Sequence, residues 1–236
     1  MTRSRGLFVA SAKCIRPADE AGWSAWYDDV HLPDLLGAAG APWVATRFEL
    51  AQRPLPGMPG LGFSHVTLYE LDEADVADQA QRLARRDAEL RAAGRVHAAH
   101  VVVDAQLYAA HGSGAAKPEP GPELSGHILA LVLCNDPARE AEWDAWYERE
   151  HVPDMLAAGC FRALTRWRRE PRPRYGATHM TLYDVGPGGL EDAVARSSAA
   201  LAALTAAGRK HPAHAGALTL LLRPCGRYAA SGLRRP

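Results

Sequence analysis

The sequence predicts an α+β protein built from two tandem βαββαβ units that pack sheet to sheet. Three observations lead to this prediction. A repeat covers both halves of the 236-residue chain, strand-type and helix-type patterns alternate within each half, and a Gly/Pro-rich segment separates the halves. Because the chain is long enough for two small domains, each half can bury a core of its own.

The repeat is clearest in two stretches rich in aromatic residues. Residues 23–36 read WSAWYDDVHLPDLL, and residues 143–156 read WDAWYEREHVPDML, at a shift of 120. Later in each half, FSHVTLYEL (63–71) matches ATHMTLYDV (177–185) at a shift of 114. We therefore expect a first unit over residues 1–111, a linker over 112–125 and a second unit over 126–236.

Within the first half, the hydrophobic periodicities give the order of elements. Short alternating or β-rich runs predict strands, and longer stripes at helical spacing predict helices. The Pro/Gly-rich segment RPLPGMPG separates the two middle strands, and Gly94 ends the second helix. The expected elements are a strand at 6–15, a helix at 18–37, strands at 43–50 and 62–71, a helix at 73–93 and a strand at 100–109.

This order is the split βαβ, or ferredoxin-like, unit. Its sheet carries helices on one face only, so the bare face needs a partner, and a second copy in the same chain supplies one. The W-x-x-WY-x-x-x-H-x-P-D helix, the TRF or TRW strand and the HVTLYE-like third strand resemble the EthD-like branch of the dimeric α/β-barrel superfamily. The resemblance covers nearly all of both halves. It implies an intramolecular dimeric α/β barrel, with a pocket in each unit between the sheet and its two helices.

The first helix carries the first candidate site residues. At about 100° per residue, one face presents Trp23, Trp26, Tyr27 and Asp34, with His31 at its edge. A helix cannot run smoothly through Pro33, because proline lacks the N–H and disfavours helical geometry before it. His31 is therefore expected at a kink or at the end of a turn, where exposed carbonyls favour the imidazolium form. The counterparts of Trp26, Tyr27, His31 and Asp34 in the second half are Trp146, Tyr147, His151 and Asp154.

The third strand adds a second polar set. Alternation puts His65, Thr67 and Tyr69 on one face, and His179, Thr181 and Tyr183 repeat them. If this face looks at the helices, the histidine and tyrosine line the same pocket as His31. If it looks into the barrel, they form a layer between the halves. The period of two leaves both orientations open.

Two further recurring sets have alternative interpretations. Arg47 and Arg166, on the second strands, could hold a ligand carboxylate or phenolate, or could pair with a neighbouring acidic side chain. His97 with His100 recurs as His211 with His214. Such spacing could supply metal ligands, but a histidine at a helix-to-strand turn also caps carbonyls, and no carboxylate stands in an HExxH frame. We predict no metal and no cofactor, although the resemblance includes haem enzymes.

Composition excludes several functional classes. Acidic and basic side chains balance at 27 each, so nucleic acid and anionic membranes are not expected partners. No apolar run reaches the ~18 residues needed to span a bilayer, and the N-terminal apolar stretch is too short for a signal peptide. A cytoplasmic location and four reduced cysteines are expected. There is no P-loop, GxGxxG or GxSxG motif.

The hypothesis for function is a cofactor-independent enzyme of small aromatic, polyketide-like or ketone metabolism, and the fused chain could form a homodimer. His31 and His151 would be general bases, Tyr27 and Tyr147 oxyanion donors, and Asp34 and Asp154 would orient the histidines or bind substrate. The expected substrate-binding residues are Trp26, Trp146, Arg47, Arg166, His65, His179, Tyr69, Tyr183, His97 and His211. Cyclisation, isomerisation and monooxygenation all begin with such a proton step. The alternatives are a non-catalytic small-molecule binding protein and a purely structural fold.

Overall fold

The computed structural model describes residues 5–37, 44–51, 61–115, 125–229 and 232–234. The chain divides into two compact units. Unit 1 comprises Met1–Ala109 with Pro224–Pro236, and unit 2 comprises Ala110–Arg223. Each unit therefore includes a strand segment from the other half of the sequence: unit 1 includes the end of the chain from Pro224, and unit 2 begins at Ala110. The repeat alone does not indicate this exchange.

Unit 1 has the expected βαββαβ order. Its antiparallel sheet has the strand order β2 (Val44–Leu50), β3 (His65–Leu71), β1 (Gly6–Cys14) and β4 (His100–Ala115). The helix before β2 is interrupted by a π-helical turn at Tyr27–His31. The C-terminal end of strand β8 (His214–Ala229), from residue 224 onward, belongs to this unit, and β8 also pairs with β2. Its elements are β1 Gly6–Cys14, α1 Glu20–Trp26, α2 Leu32–Leu36, β2 Val44–Leu50, β3 His65–Leu71, α3 Val76–Ala92 and β4 His100–Ala115.

Unit 2 repeats this arrangement with strand order β6-β7-β5-β8, again antiparallel. A π-helical turn at Tyr147–His151 matches that of unit 1. The same register irregularity recurs as well, between Ser11 and Ala12 and between Leu131 and Val132. The elements are β5 His127–Cys134, α4 Glu140–Trp146, α5 Val152–Ala157, β6 Phe161–Glu170, β7 His179–Val185, α6 Gly189–Ala206 and β8 His214–Ala229, followed by β9 Gly232–Arg234.

The cores form where the helical stripes meet one face of each sheet. In unit 1, Trp23, Tyr27 and Leu83 pack with Tyr69 of the third strand. Trp23 is completely buried and, as an indole, removes a large apolar area from water, which is the main favourable contribution to folding. The second helix ends just before Gly94 (φ +69°), as the sequence predicts, but it begins at Val76 rather than at residue 73, because the Asp75 side chain caps its first turn.

The fold class is confirmed, with one difference at the join between the repeats. β4 continues to Ala115, so residues 112–115, expected in the linker, are strand. This extension is possible because β4 beyond Ala109 belongs to unit 2, where β4 lies beside β6 and its backbone groups find partners. The rest of the expected linker (116–124) and the segment RPLPGMPG (53–60) lie outside the described residues. Across the described ranges, none of the helices is both long and apolar enough to cross a membrane.

Candidate functional site

A π-helical turn places the site histidine in each unit. The backbone N–H of Leu32 reaches back to the carbonyl of Tyr27, five residues earlier. One extra residue in the turn adapts the helix to Pro33, whose ring would otherwise collide with the carbonyl four residues before it. His31 is the last residue of this π turn, in keeping with its expected place at a kink or at the end of a turn, but the helix continues through it with helical geometry (φ −66°, ψ −49°).

The aromatic residues of this helix bond to the sheet through their polar atoms. The Trp23 Nε1–H donates to His100 Nδ1 at 3.2 Å, and the Tyr27 hydroxyl lies 3.0 Å from Thr67 Oγ1 and 3.3 Å from Tyr69 Oη. The Thr67/Tyr69 face of β3 therefore looks at the helices. This answers the question that the alternation left open.

His31 lies among these rings and is neutral. Its ring centroid stands 4.8 Å from Trp26, 4.9 Å from Tyr27 and 5.3 Å from His100. Burial, and secondarily the nearby His100, lowers the pKa of His31 to about 3. Burial likewise lowers the pKa of His100 to about 4. The expectation of a favoured imidazolium was wrong, because the helix does not end at His31 and desolvation disfavours the charged ring.

In unit 2 the equivalent residues form a continuous series of hydrogen bonds. Tyr147 Oη lies 2.9 Å from Thr181 Oγ1 and 3.2 Å from Tyr183 Oη, and Tyr183 Oη lies 3.3 Å from His151 Nε2. Burial is the largest cause of a raised pKa at both tyrosines and lowers the pKa of His151 to about 3. All four groups are therefore neutral near pH 7. We call this Thr181–Tyr147–Tyr183–His151 series the relay.

The second tryptophan of each motif marks the outer edge of the cluster. Trp26 is half-buried, its indole N–H donates to the Arg95 carbonyl at 3.1 Å, and its ring lies 5.7 Å from that of His97. His97 Nδ1 accepts the Ala99 backbone N–H at 3.2 Å. These histidines thus cap a backbone N–H, not a carbonyl as expected. Trp146 and His211 repeat the arrangement with the Arg209 carbonyl and the Ala213 N–H.

Both strand arginines are buried beneath the aromatic rings. The Arg47 guanidinium lies 5.1 Å from the Tyr27 ring centre, with Nε 3.3 Å from Asp28 Oδ1 and NH2 2.5 Å from Ser24 Oγ. Arg166 bonds Glu148 Oε1 at 2.5 Å and Asp144 Oδ1 at 2.6 Å. Of the two interpretations left open, the ion pair with a neighbouring acidic side chain describes both arginines.

The two aspartates expected to orient the histidines have other partners. The Asp34 carboxylate accepts two hydrogen bonds from Arg95, at 2.7 and 2.9 Å. Asp154 pairs in the same way with Arg209, at 2.9 Å. Both carboxylates therefore contact half-exposed arginines rather than the histidines that they were expected to orient. Substrate binding, the other role expected of Asp34 and Asp154, stays a prediction.

His65 and His179 lie on the helix-facing side of the third strands. The His65 ring meets Trp23 edge-on, with ring centroids 4.9 Å apart, and the His179 ring is tilted against Trp143 at 5.0 Å. Burial lowers the pKa of His65 to about 4 and that of His179 to about 3. Beside His179 lies a group that sequence reasoning missed: His111 Nε2 is 2.9 Å from Asp144 Oδ1. The available signal was that His111 stands outside the histidine pairs of the repeat.

Comparison with known proteins identifies shared fold but no close relative. No protein-family model matches the chain, and no curated protein matches it. Among solved structures, a proposed monooxygenase from Fusobacterium nucleatum subsp. nucleatum is similar, at 9% identity and TM-score 0.56, covering 99% of both chains. A mutant chlorite dismutase from Candidatus Nitrospira defluvii is similar at 12% identity and TM-score 0.59, covering 94% of this chain and 92% of the other.

A third similar structure is an anthrone oxidase-like protein, at 12% identity and TM-score 0.50, covering 97% of this chain and 95% of the other. The protein has the dimeric α/β-barrel fold. At these identities the likeness extends to the fold and no further.

Proposed function

We propose that the protein is a cofactor-independent enzyme acting on small aromatic, polyketide-like or ketone substrates, with monooxygenation as the preferred reaction among those considered. The observation that carries the proposal is the relay, in which a neutral histidine ends a chain of buried hydroxyls. Two of the fold neighbours, described as a proposed monooxygenase and an anthrone oxidase-like protein, suggest the reaction class.

In this proposal His31 and His151 remove a proton from a carbon or hydroxyl beside a carbonyl. Because the pKa of each histidine is about 3 in the protein without substrate, the histidine is unprotonated near neutral pH and can accept a proton. The imidazolium is stabilised only beside the substrate anion, because an opposite charge within a few ångströms raises the pKa of the histidine. The proton transfer thus depends on bound substrate.

The tyrosines stabilise the anion through hydrogen bonds. Tyr147 is enclosed by Thr181 and Tyr183, so the hydroxyl next to His151 is that of Tyr183. We therefore transfer the donor role from Tyr147 to Tyr183, and by symmetry from Tyr27 to Tyr69. With pKa values raised above 10 these phenols stay protonated and can donate at neutral pH.

The oxygenation can be written with atoms and electrons in balance. An activated ring methylene loses a proton to histidine, and its carbanion forms a C–O bond with O2. The resulting peroxide loses water and leaves a ketone. The methylene carbon is oxidised by four electrons, and dioxygen is reduced to one carbonyl oxygen and one water.

The substrate would meet the cluster at its half-buried edge. Trp26 and His97 in unit 1, and Trp146 in unit 2, present flat faces there, suited to stacking on an aromatic ligand. The ligand class, the cytoplasmic location and a homodimer of the fused chain all belong to this proposal.

Oxygen consumption with anthrone or a hydroquinone as probe tests the proposal. We expect His31→Gln and His151→Gln each to remove the turnover of its own unit, so that each single variant keeps only the contribution of the other unit, and the double variant to lower kcat by about 10²-fold or more. The matched control is His127→Gln, whose side chain pairs with Asp184 away from the relay. A folded double variant with undiminished oxygen consumption would rule the proposal out.

A non-catalytic small-molecule binding protein is the second candidate. It is favoured by the fact that Tyr147 Oη already lies within hydrogen-bond distance of two groups of its own unit. In that case, calorimetry would detect binding of the same probes without oxygen consumption, and His151→Gln would change affinity only.

A further inference from the structure

We propose that unit 2 binds one divalent transition-metal ion between His111, Asp144 and His179. Each of these residues offers one ligand atom, and the three atoms lie within 4.8 Å of one another. Two imidazoles and one carboxylate form a donor set that first-row metals such as Fe²⁺, Co²⁺ and Zn²⁺ accept. The proposal departs from the expectation of no metal and does not rest on the proposed oxygenase activity.

The histidines are oriented as metal ligands require. Thr178 Oγ1 lies 2.9 Å from His179 Nδ1, which fixes the ring and leaves Nε2 as its ligand atom. A hydrogen bond from the second ring nitrogen is the usual support of a metal-binding histidine. His179 is 3% exposed, so the surrounding side chains hold its ring in place.

The local charge favours a cation. Arg166 bonds both Asp144 and Glu148, so this group of three carries one excess negative charge. Arg166 contacts the Oδ1 atom of Asp144. The Oδ2 atom of the same carboxylate could therefore bind the metal while the arginine holds Oδ1. In unit 1 the equivalent arginine, Arg47, bonds Ser24 in place of Asp144 and pairs with Asp28. The charges of Arg47 and Asp28 cancel, so this group carries no excess negative charge.

The repeat shows that the site is specific to one unit. His179 has a counterpart in His65, but Asp144 corresponds to Ser24. His111 corresponds in sequence to Ser231, which lies outside the described residues. Neither His111 nor Asp144 is therefore repeated at the equivalent position of the other copy, and both ligands lie within unit 2 (Ala110–Arg223).

Cobalt titration of the full-length, metal-stripped protein tests the site. We expect Co²⁺ to bind at one equivalent with visible ligand-field absorption, and Zn²⁺ to displace it and raise Tm. His111→Ala and Asp144→Asn should each weaken binding at least tenfold. His127→Ala is the matched control, because it removes another histidine of unit 2 that pairs with a carboxylate.

Circular dichroism and the metal-free Tm of each variant establish that the fold is intact. His111 and Asp144 are both partly exposed, so their replacement is compatible with folding. The proposal is overturned if the wild-type protein shows neither the cobalt absorption nor a zinc-dependent Tm, or if His111→Ala binds cobalt as tightly as the wild type.

Discussion

Mild acid should unfold this protein, because six histidines are held neutral inside it. Burial is the largest cause of the lowered pKa at each. The pKa is about 3 for His31, His151 and His179, and about 4 for His65, His100 and His214. Three of the six belong to each unit. In the unfolded chain the same groups titrate near ~6.5.

The sign and size of the effect follow from proton linkage. Between pH 6.5 and the folded pKa values, the unfolded chain binds more protons than the folded one, so stability present above pH 6.5 is lost as pH falls. At pH 5 each histidine costs roughly 2 kcal/mol, from about 1.4 kcal/mol per pH unit over about 1.5 units. Three histidines cost a unit roughly 6 kcal/mol, comparable with the ~5–15 kcal/mol that stabilises a typical domain.

The assay is urea unfolding at a series of pH values from 7.5 to 5, combined with NMR titration of the imidazole protons. We expect the free energy of unfolding to fall with a slope approaching three protons per unit, and His65→Gln to reduce that slope by one. His127→Gln, which replaces a histidine outside this group, should leave it unchanged. Stability that stays flat to pH 5, or buried imidazoles that titrate near pH 6.5 in the folded protein, would refute the reasoning.

Three substitutions probe individual contacts. Arg166→Met should lower the free energy of unfolding by about 2 kcal/mol or more, since it removes the buried guanidinium that contacts both Asp144 and Glu148; an unchanged urea midpoint would contradict this. Trp23→Phe should cost about 1–3 kcal/mol, because His100 Nδ1 loses its buried donor, and a loss no larger than that of an exposed substitution would argue against the bond. Asp34→Ala breaks a partly exposed pair with Arg95, so we expect a loss below about 1 kcal/mol and unchanged turnover, and a large kcat effect would restore its catalytic role.

Much of the fold was predictable because it depends on local patterns and on the repeat. The order of strands and helices, the end of the second helix at Gly94 and the interruption near Pro33 all follow from periodicity and from proline and glycine geometry. The form of the interruption did not follow. A π turn keeps the helix continuous through His31, and only the arrangement of backbone hydrogen bonds distinguishes it from a kink or a helix end.

The candidate residues were predictable as a set, but their partners were not. Repetition identified the tryptophans, tyrosines and histidines, whereas Asp34 was assigned to His31 because the two are close in sequence, and it instead pairs with Arg95, 61 residues away. The predicted charge state of His31 was also wrong. Its position at a helix end suggested a positively charged ring, whereas burial lowers its pKa and keeps the ring neutral. His111 was passed over because its equivalent position in the second half is Ser231, so it is not a recurring histidine.

The sequence by itself determined the duplicated βαββαβ architecture and the residues that recur in it, since hydrophobic period and repetition are properties of the chain read in order. Only the tertiary structure decided which way the His65/Tyr69 face points, that β4 and β8 each extend from one compact unit into the other, and that Asp144 lies beside His111. The physical reason is that these features depend on contacts between distant residues and on the removal of water from charged groups, neither of which has a local signature.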